Sequence, residues 1–137
     1  MAELKILKEI QVANYLDNRG NLDVAEFQSI GKFETKRIYY ISGVPESDTR
    51  GAHAHKNLDQ VFFAVAGKLS MTVTDGSITE SVDLKAHETG YYLPAGYWRD
   101  LKNFTNDAVC LVLASEHYDE NDYIRSYEEY LEWKKSE

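Results

Sequence analysis

Short strand-like runs, separated at regular intervals by turn residues, fill the middle of the chain and limit its fold more than any other feature. They are rich in β-branched and aromatic residues, which suit the pleated, half-buried surface of a sheet. Asp75-Gly76 predicts a hairpin turn, and NRGN (18–21) predicts another between QVANYL and LDVAEFQS. Many short strands at this spacing predict an all-β sandwich or barrel. The runs lie at 36–42, 60–67, 69–76, 78–85, 89–96, 98–104 and 108–115.

The end of the chain has a helical periodicity, which predicts a helix over 119–135 with Asn121 or Asp122 as its N-cap. We expect its aromatic stripe to pack on the barrel; a helix that binds a partner is the alternative. The chain has 137 residues and is predicted to be one domain, a barrel over 1–118 and then the helix. The stripe consists of Tyr123, Tyr127, Tyr130, Leu131 and Lys134.

Charge and composition argue against several classes of function. The formal net charge of -8 disfavours nucleic-acid binding through a basic surface. No run of about 18 apolar residues predicts a membrane span, and the charged N-terminal segment lacks a signal-peptide pattern, so we expect a cytoplasmic protein. Cys110, the single cysteine, lies in an apolar run and is expected to be a buried structural thiol. To bind a phosphorylated small molecule, such an acidic chain must concentrate arginines in one pocket.

His53 and His55 stand two residues apart in RGAHAHKNLDQ (50–60). In a strand, this spacing directs both imidazoles to the same side of the sheet. Metal sites are built in this way, and so are acid–base pairs, because the imidazole pKa of about 6.5 suits proton transfer near neutrality. The alternative is that both histidines are hydrogen-bonded core groups without a chemical role.

Two spaced motifs surround this pair. The first has His53, His55, Gln60 and Gly67, and the second has Pro94, Gly96, Arg99 and Asn103. They resemble the two motifs of the cupin superfamily, whose fold is a small jelly-roll barrel. In metal-binding cupins, a Glu and a third His stand where this chain has Gln60 and Arg99. An amide lacks the carboxylate charge, and a guanidinium places a positive charge where the cation would lie. We therefore expect a pocket without metal or other cofactor.

A closer resemblance covers nearly the whole chain. The segments DNRGNL, RIYYISGVP, RGAHAHKNLDQ, LPAGYWRDL and LVLASEHYDENDYIRSYEEYLEW are similar to the sugar 3,4-ketoisomerase family, cupin enzymes that act on dTDP-4-keto-6-deoxyglucose. The resemblance implies an isomerase that moves the keto group from C4 to C3 of a dTDP-linked sugar without a metal. It also implies a homodimer, and the segment 4–12 is the expected site of pairing with another subunit, with strand exchange left open.

Proton transfer through an enediolate needs a base, a relay and a group that stabilises the oxygen charge. We assign the base to His53 and the relay between the sugar oxygens to His55, and burial beside Arg99 should keep both neutral. The Tyr39 hydroxyl is a candidate donor to the oxyanion, with core packing as the alternative. Arg99 is expected to contact the enediolate or a phosphate oxygen.

The remaining candidates are binding residues. Arg19 and Arg50 are candidate partners of the pyrophosphate, with a solvated turn arginine as the alternative for each. Arg37 should share a strand face with Tyr39. Trp98 is expected to stack on a sugar or thymine ring, unless it belongs to the core. Gln60 and Asn103 are candidate binding residues because they belong to the two cupin motifs.

The C4 configuration of the product and the reaction class remain open at this level. Many relatives have His where Arg99 stands, and this difference favours retention of the gluco configuration. Arg19 does not support the same prediction. The alternatives are a dTDP-keto-sugar epimerase, a metal-dependent cupin and a cupin that binds nucleotide sugars without turnover.

Overall fold

The computed structural model describes residues 3–27 and 33–137. These residues form twelve strands and one α-helix, and the all-β prediction is confirmed because each predicted run coincides closely with a strand. None of the described helical segments is long and apolar enough to cross a bilayer. The helix, α1, spans Tyr127–Lys135. The strands are β1 (Lys8–Ile10), β2 (Val12–Asp17), β3 (Gly20–Ala25), β4 (Arg37–Ser42), β5 (Arg50–His55), β6 (Gln60–Ala66), β7 (Lys68–Thr74), β8 (Thr79–Lys85), β9 (Gly90–Leu93), β10 (Trp98–Lys102), β11 (Val109–Ala114) and β12 (Tyr123–Ile124).

Two five-stranded antiparallel sheets enclose the core. Their strand orders are β1-β9-β6-β11-β4 and β12-β5-β10-β7-β8, which agrees with the predicted jelly-roll barrel. Alternate residues of each strand point inward, so Phe62, Met71 and Val112 meet in one apolar cluster. Cys110 lies in the same cluster, where burial raises the pKa of its thiol to about 12. It is therefore a structural thiol, as predicted.

The N-terminal segment is anchored to its own barrel. The Glu80 carboxylate accepts hydrogen bonds from the backbone N–H groups of Ile6 and Leu7, and β1 pairs with β9 of the same chain. In the part of the chain that the structure describes, strand β1 is the edge of its sheet, so only one of its two sides is paired within the chain. The strands that stand apart are β2 and β3, which pair only with each other among the described residues. The second was predicted as 22–29, and residues 28–32 lie outside the described part.

The predicted helix is shorter than expected, and its predicted N-cap is wrong. The helix α1 is capped by Ser126, whose hydroxyl accepts from the backbone N–H of Glu129. Residues 120–122 form a single 3-10 turn, and β12 then pairs with the edge of β5. This pairing satisfies backbone groups that a longer helix would have bonded internally. The helix packs on the barrel as expected: Tyr130 is buried, and its hydroxyl donates to the carbonyl of Gly96.

Candidate active site

A cleft of about 970 Å³ opens at one end of the barrel. It is bounded by β4, the loop after it, β5, β10 and the segment that contains Tyr118, Tyr123 and Arg125. Its size falls in the usual range for small-molecule sites, which is roughly 300–1,000 Å³. The sequence-predicted residues that line it are Arg37, Tyr39, Arg50, His53 and Arg99.

The two histidines share a face of β5, as their spacing predicts. Their Nε2 atoms are 3.2 Å apart, and the rings are nearly perpendicular. Opposite them, β10 places Arg99 directly across from His53. Between this pair and the next, Leu101 with Arg50, β5 has one extra residue, and Gly51 there adopts a φ of 82°. A glycine-containing bulge of this kind bends a strand and re-aims the side chains beside it.

His55 lies deeper than His53 and has an acidic partner that the sequence analysis missed. Its Nδ1 is 2.9 Å from Oδ2 of Asp122, and both groups are buried. The other carboxylate oxygen, Oδ1, accepts from the backbone N–H of Asn57 at 2.7 Å. The Tyr123 ring, in β12, covers the outer side of this pair, with its centroid 4.3 Å from that of His55. Asp122, His55 and His53 therefore form a continuous chain that ends at the cleft.

A second buried polar chain contains Arg99, Gln60 and Tyr39. The Nη1 atom of Arg99 donates to Oε1 of Gln60, and Nε2 of Gln60 donates to the Tyr39 hydroxyl oxygen at 2.8 Å. Because the phenol oxygen accepts here, its own hydrogen is available to another acceptor. The Nε and Nη2 groups of Arg99 have no hydrogen-bond partner among the described residues. Buried unpaired donors are uncommon, and these two N–H groups are available to a ligand oxygen or to a water molecule.

Burial and positive charge determine the protonation states in the cleft. Loss of solvent and the charge of Arg99 lower the pKa of His53 and of His55 to about 2. Burial also lowers the pKa of Arg99 to about 10 and raises the pKa of Tyr39. At neutral pH the site therefore holds two neutral imidazoles, a neutral phenol and a guanidinium cation. The predicted neutrality of the histidines agrees with this result.

Four of the chain's five arginines line the cleft, which is the concentration of arginines expected if an acidic chain binds a phosphorylated molecule. Arg125, which sequence analysis did not select, lies with its Cζ 4.2 Å from the Tyr123 ring centroid and pairs with Glu120. Arg37 lies over Tyr39 at 5.5 Å, so the predicted shared face is confirmed. The arginines that line the cleft are Arg37, Arg50, Arg99 and Arg125.

Three predicted binding residues lie away from this cleft. Trp98 is buried against Tyr127 and Tyr130 of α1, which is the core alternative. Asn103 follows β10, and its exposed side chain lies 3.5 Å from Ser70. Arg19 is at the tip of the β2–β3 hairpin, where it pairs with Asp17. A strand's alternation places Trp98 and Arg99 on opposite faces, and only Arg99 faces the cleft.

The donor set does not fit a divalent cation. In the described part of the chain, the inner end of the cleft offers two imidazoles beside an amide and a guanidinium. Within residues 3–27 and 33–137, no three His, Cys, Asp or Glu side chains are grouped as metal ligands. His87 is a turn residue at a φ of 72° that pairs with Asp23 and does not line the cleft.

Comparison with known proteins supports the resemblance seen in the sequence. The chain matches the family FdtA, described as WxcM-like, C-terminal, over residues 4–135. It is 36% identical to TDP-4-oxo-6-deoxy-alpha-D-glucose-3,4-oxoisomerase of Aneurinibacillus thermoaerophilus, covering 92% of this chain and 91% of the relative.

Two solved structures are also similar. One is the TDP-quinovose 3,4-ketoisomerase of Campylobacter jejuni, with 40% identity, a TM-score of 0.83 and coverage of 94% of this chain and 99% of the other. The other is a variant of the 3,4-ketoisomerase QdtA of Thermoanaerobacterium thermosaccharolyticum in complex with TDP-4-keto-6-deoxyglucose. It has 34% identity, a TM-score of 0.88 and coverage of 98% and 97%. The chain therefore belongs to the FdtA family, described as WxcM-like, C-terminal, and it is similar to these sugar 3,4-ketoisomerases.

Proposed function

We propose that this chain moves the keto group of a dTDP-4-keto-6-deoxyhexose from C4 to C3, without a metal. The observation that carries the proposal is the juxtaposition of two contacting neutral histidines and a buried arginine with unpaired N–H donors. A base beside fixed cationic donors suits removal of a proton next to a ketone. The similar QdtA structure contains TDP-4-keto-6-deoxyglucose, which supports this substrate class.

The chemistry needs only proton movements. His53 removes the proton on C3, and the electrons form an enediolate whose charge lies on O4. Arg99 and the free hydroxyl hydrogen of Tyr39 stabilise that charge. The proton that His53 took from C3 passes to O4, which frees that nitrogen to take the proton of O3. His55, assigned as the relay, is buried and acts on this transfer only through its contact with His53. Return of a proton to C4 then gives the 3-keto sugar.

Substrate orientation follows from the charges of the cleft. Arg37, Arg50 and Arg125 line its rim and would contact the pyrophosphate, while Arg99 lies at the inner end. Retention of the gluco configuration at C4 is part of the proposal. It is supported by the similar enzyme named for TDP-quinovose, since quinovose is a gluco-configured 6-deoxyhexose.

We infer a homodimer formed through the β2–β3 hairpin. The hairpin exposes Tyr15, Leu16 and Leu22, each more than half exposed. Strand β4 is a sheet edge, and it exposes Ile38 and Tyr40 on its outer face. A second copy supplies the matching element for both surfaces, because each chain has one apolar hairpin and one apolar sheet edge.

The test of the proposed reaction is proton NMR of dTDP-4-keto-6-deoxyglucose in deuterated water with EDTA-treated protein. We expect a 3-keto product with deuterium at C4, and its coupling constants report the C4 configuration. The variant His53→Asn should abolish the reaction, whereas His117→Asn, outside the cleft and exposed, should not change it. Exchange at C3 or C5 without a new ketone would indicate an epimerase, and no exchange would indicate a binding protein.

A further inference from the structure

The hydrogen bonds of Asp122 determine which ring nitrogen carries the hydrogen in His55 and in His53. Its Oδ1 is occupied by the backbone N–H of Asn57 and its Oδ2 by the imidazole of His55. The 3-10 turn and β12, which pairs Tyr123 with His55, hold the carboxylate in place. A carboxylate accepts hydrogen bonds, so the facing Nδ1 of His55 must carry the hydrogen.

The constraint then passes to His53. A neutral imidazole has one N–H and one acceptor nitrogen, so a hydrogen on Nδ1 of His55 leaves its Nε2 as an acceptor. The atom 3.2 Å away is Nε2 of His53, which must therefore be the donor of that hydrogen bond. Nδ1 of His53 is left as an unprotonated nitrogen, and this histidine lines the cleft.

We propose that Asp122 is a positioning residue that sets the tautomers of His55 and His53 and so makes Nδ1 of His53 the nitrogen that accepts the substrate proton. The proposal deepens the isomerase function and rests on it for its catalytic meaning. The tautomers themselves are a property of the free protein. They can therefore be tested whether or not the reaction is the one proposed.

The substitution Asp122→Asn inverts this arrangement. Because Asn57 N–H needs an acceptor, the amide oxygen takes the place of Oδ1 and the NH₂ group faces His55. Nδ1 of His55 must then accept, its Nε2 must donate to His53, and Nδ1 of His53 becomes protonated. The base is lost although the shape of the site is nearly unchanged. A carboxylate that orients an imidazole can account for a loss of up to about 10⁴-fold when replaced by its amide.

The experiment is ¹⁵N NMR of the histidine rings in free protein near neutral pH, where nitrogen shifts distinguish protonated from unprotonated positions. The variants His87→Asn and His117→Gln assign the two other histidines, and His53→Asn distinguishes the signals of His53 from those of His55. We expect hydrogen on Nδ1 of His55 and on Nε2 of His53 in the wild type. In Asp122→Asn both should be reversed. A wild-type spectrum with hydrogen on Nδ1 of His53 would overturn the proposal without any variant.

Activity provides the second readout. The rate constant kcat of Asp122→Asn should fall at least about 100-fold, with KM nearly unchanged, and Asp122→Glu should recover part of it. The matched control is Asp119→Asn, since that exposed carboxylate also accepts a backbone N–H in the same segment but contacts no histidine. The control should keep wild-type tautomers and kcat. A folded Asp122→Asn protein with unchanged tautomers would contradict the positioning role.

Discussion

The cleft and the β2–β3 hairpin have opposite patterns of burial. At the inner end of the cleft, polar groups are shielded from water: His55, Gln60 and Arg99 are each at most 2% exposed. On the hairpin, apolar groups face solvent, and Leu16 is 70% exposed. Neither pattern stabilises an isolated chain. Buried polar groups need hydrogen-bond partners, and apolar groups that stay exposed contribute no burial of apolar surface.

The two regions differ in what a single chain leaves unpaired: hydrogen-bond donors in the cleft and apolar surface on the hairpin. Among the described residues, the cleft provides most of its own hydrogen bonds, and the buried side-chain donors left without a partner are Nε and Nη2 of Arg99. The hairpin lacks a packing surface rather than hydrogen bonds, since β2 and β3 pair over their full length. A cleft of this kind fits a small anion, whereas a surface of this kind fits another protein surface.

The largest expected effect separates catalysis from stability in the cleft. In Arg99→Met, isomerisation should fall about 10²–10³-fold, because the oxyanion loses its main donors. The free energy of unfolding should change by less than about 1 kcal/mol, because removal of a buried charge with two unpaired donors offsets the loss of the donor to buried Gln60. Turnover assays and urea unfolding measure the two quantities. The exposed cation Lys68, changed to Met, serves as the control. Loss of stability together with activity would show that Arg99 is structural.

The hairpin should respond in the opposite way. Leu16→Asp should weaken the dimer at least about 30-fold, which corresponds to roughly 2 kcal/mol at an interface centre, and should leave the unfolding of the monomer nearly unchanged. Sedimentation equilibrium measures the dissociation constant. Ile78→Asp places the same charge on an exposed apolar residue outside the hairpin and should not affect the dimer. A wild-type monomer at micromolar concentration would rule out the inferred interface.

A smaller effect is expected for the second oxyanion donor. Tyr39→Phe keeps the ring that packs in the barrel but removes the hydroxyl that accepts from Gln60. We expect kcat to fall about tenfold, or about 1.4 kcal/mol in activation free energy, with KM unchanged. Steady-state kinetics tests this, and Tyr127→Phe on α1, outside the cleft lining, is the control. An unchanged kcat would assign Tyr39 to packing alone.

The smallest effect is on the pH dependence of stability. Burial beside Arg99 holds the pKa of His53 and of His55 at about 2, whereas an unfolded histidine titrates near 6.5. Between these values the unfolded state binds more protons, so the free energy of unfolding falls as the pH drops. Each of the two histidines should contribute a slope of up to about 1.4 kcal/mol per pH unit below about pH 6, and His53→Asn should remove the share of His53. An equal slope in wild type and variant would show that His53 titrates normally.

Local pattern predicted much of this molecule because local rules govern those parts. Alternation and turn residues predicted the barrel strands, and the two-residue spacing predicted that His53 and His55 share a face. The segment 119–126 was mispredicted for a physical reason. Its side chains follow a helical spacing, but backbone pairing with the edge of β5 outweighs that preference. Asp122 and Arg125 were missed as site residues in consequence.

The sequence alone therefore determined which side chains are available: the paired histidines, the replacement of metal ligands by Gln60 and Arg99, and the family. Tertiary structure decided which of them meet. It placed Asp122 behind His55, although they are 67 residues apart in sequence, left Arg99 with free donors, and sent Trp98 to the core. Periodicity reports which face a side chain occupies, whereas the partner on that face depends on strand order and register, which are set by contacts between distant segments.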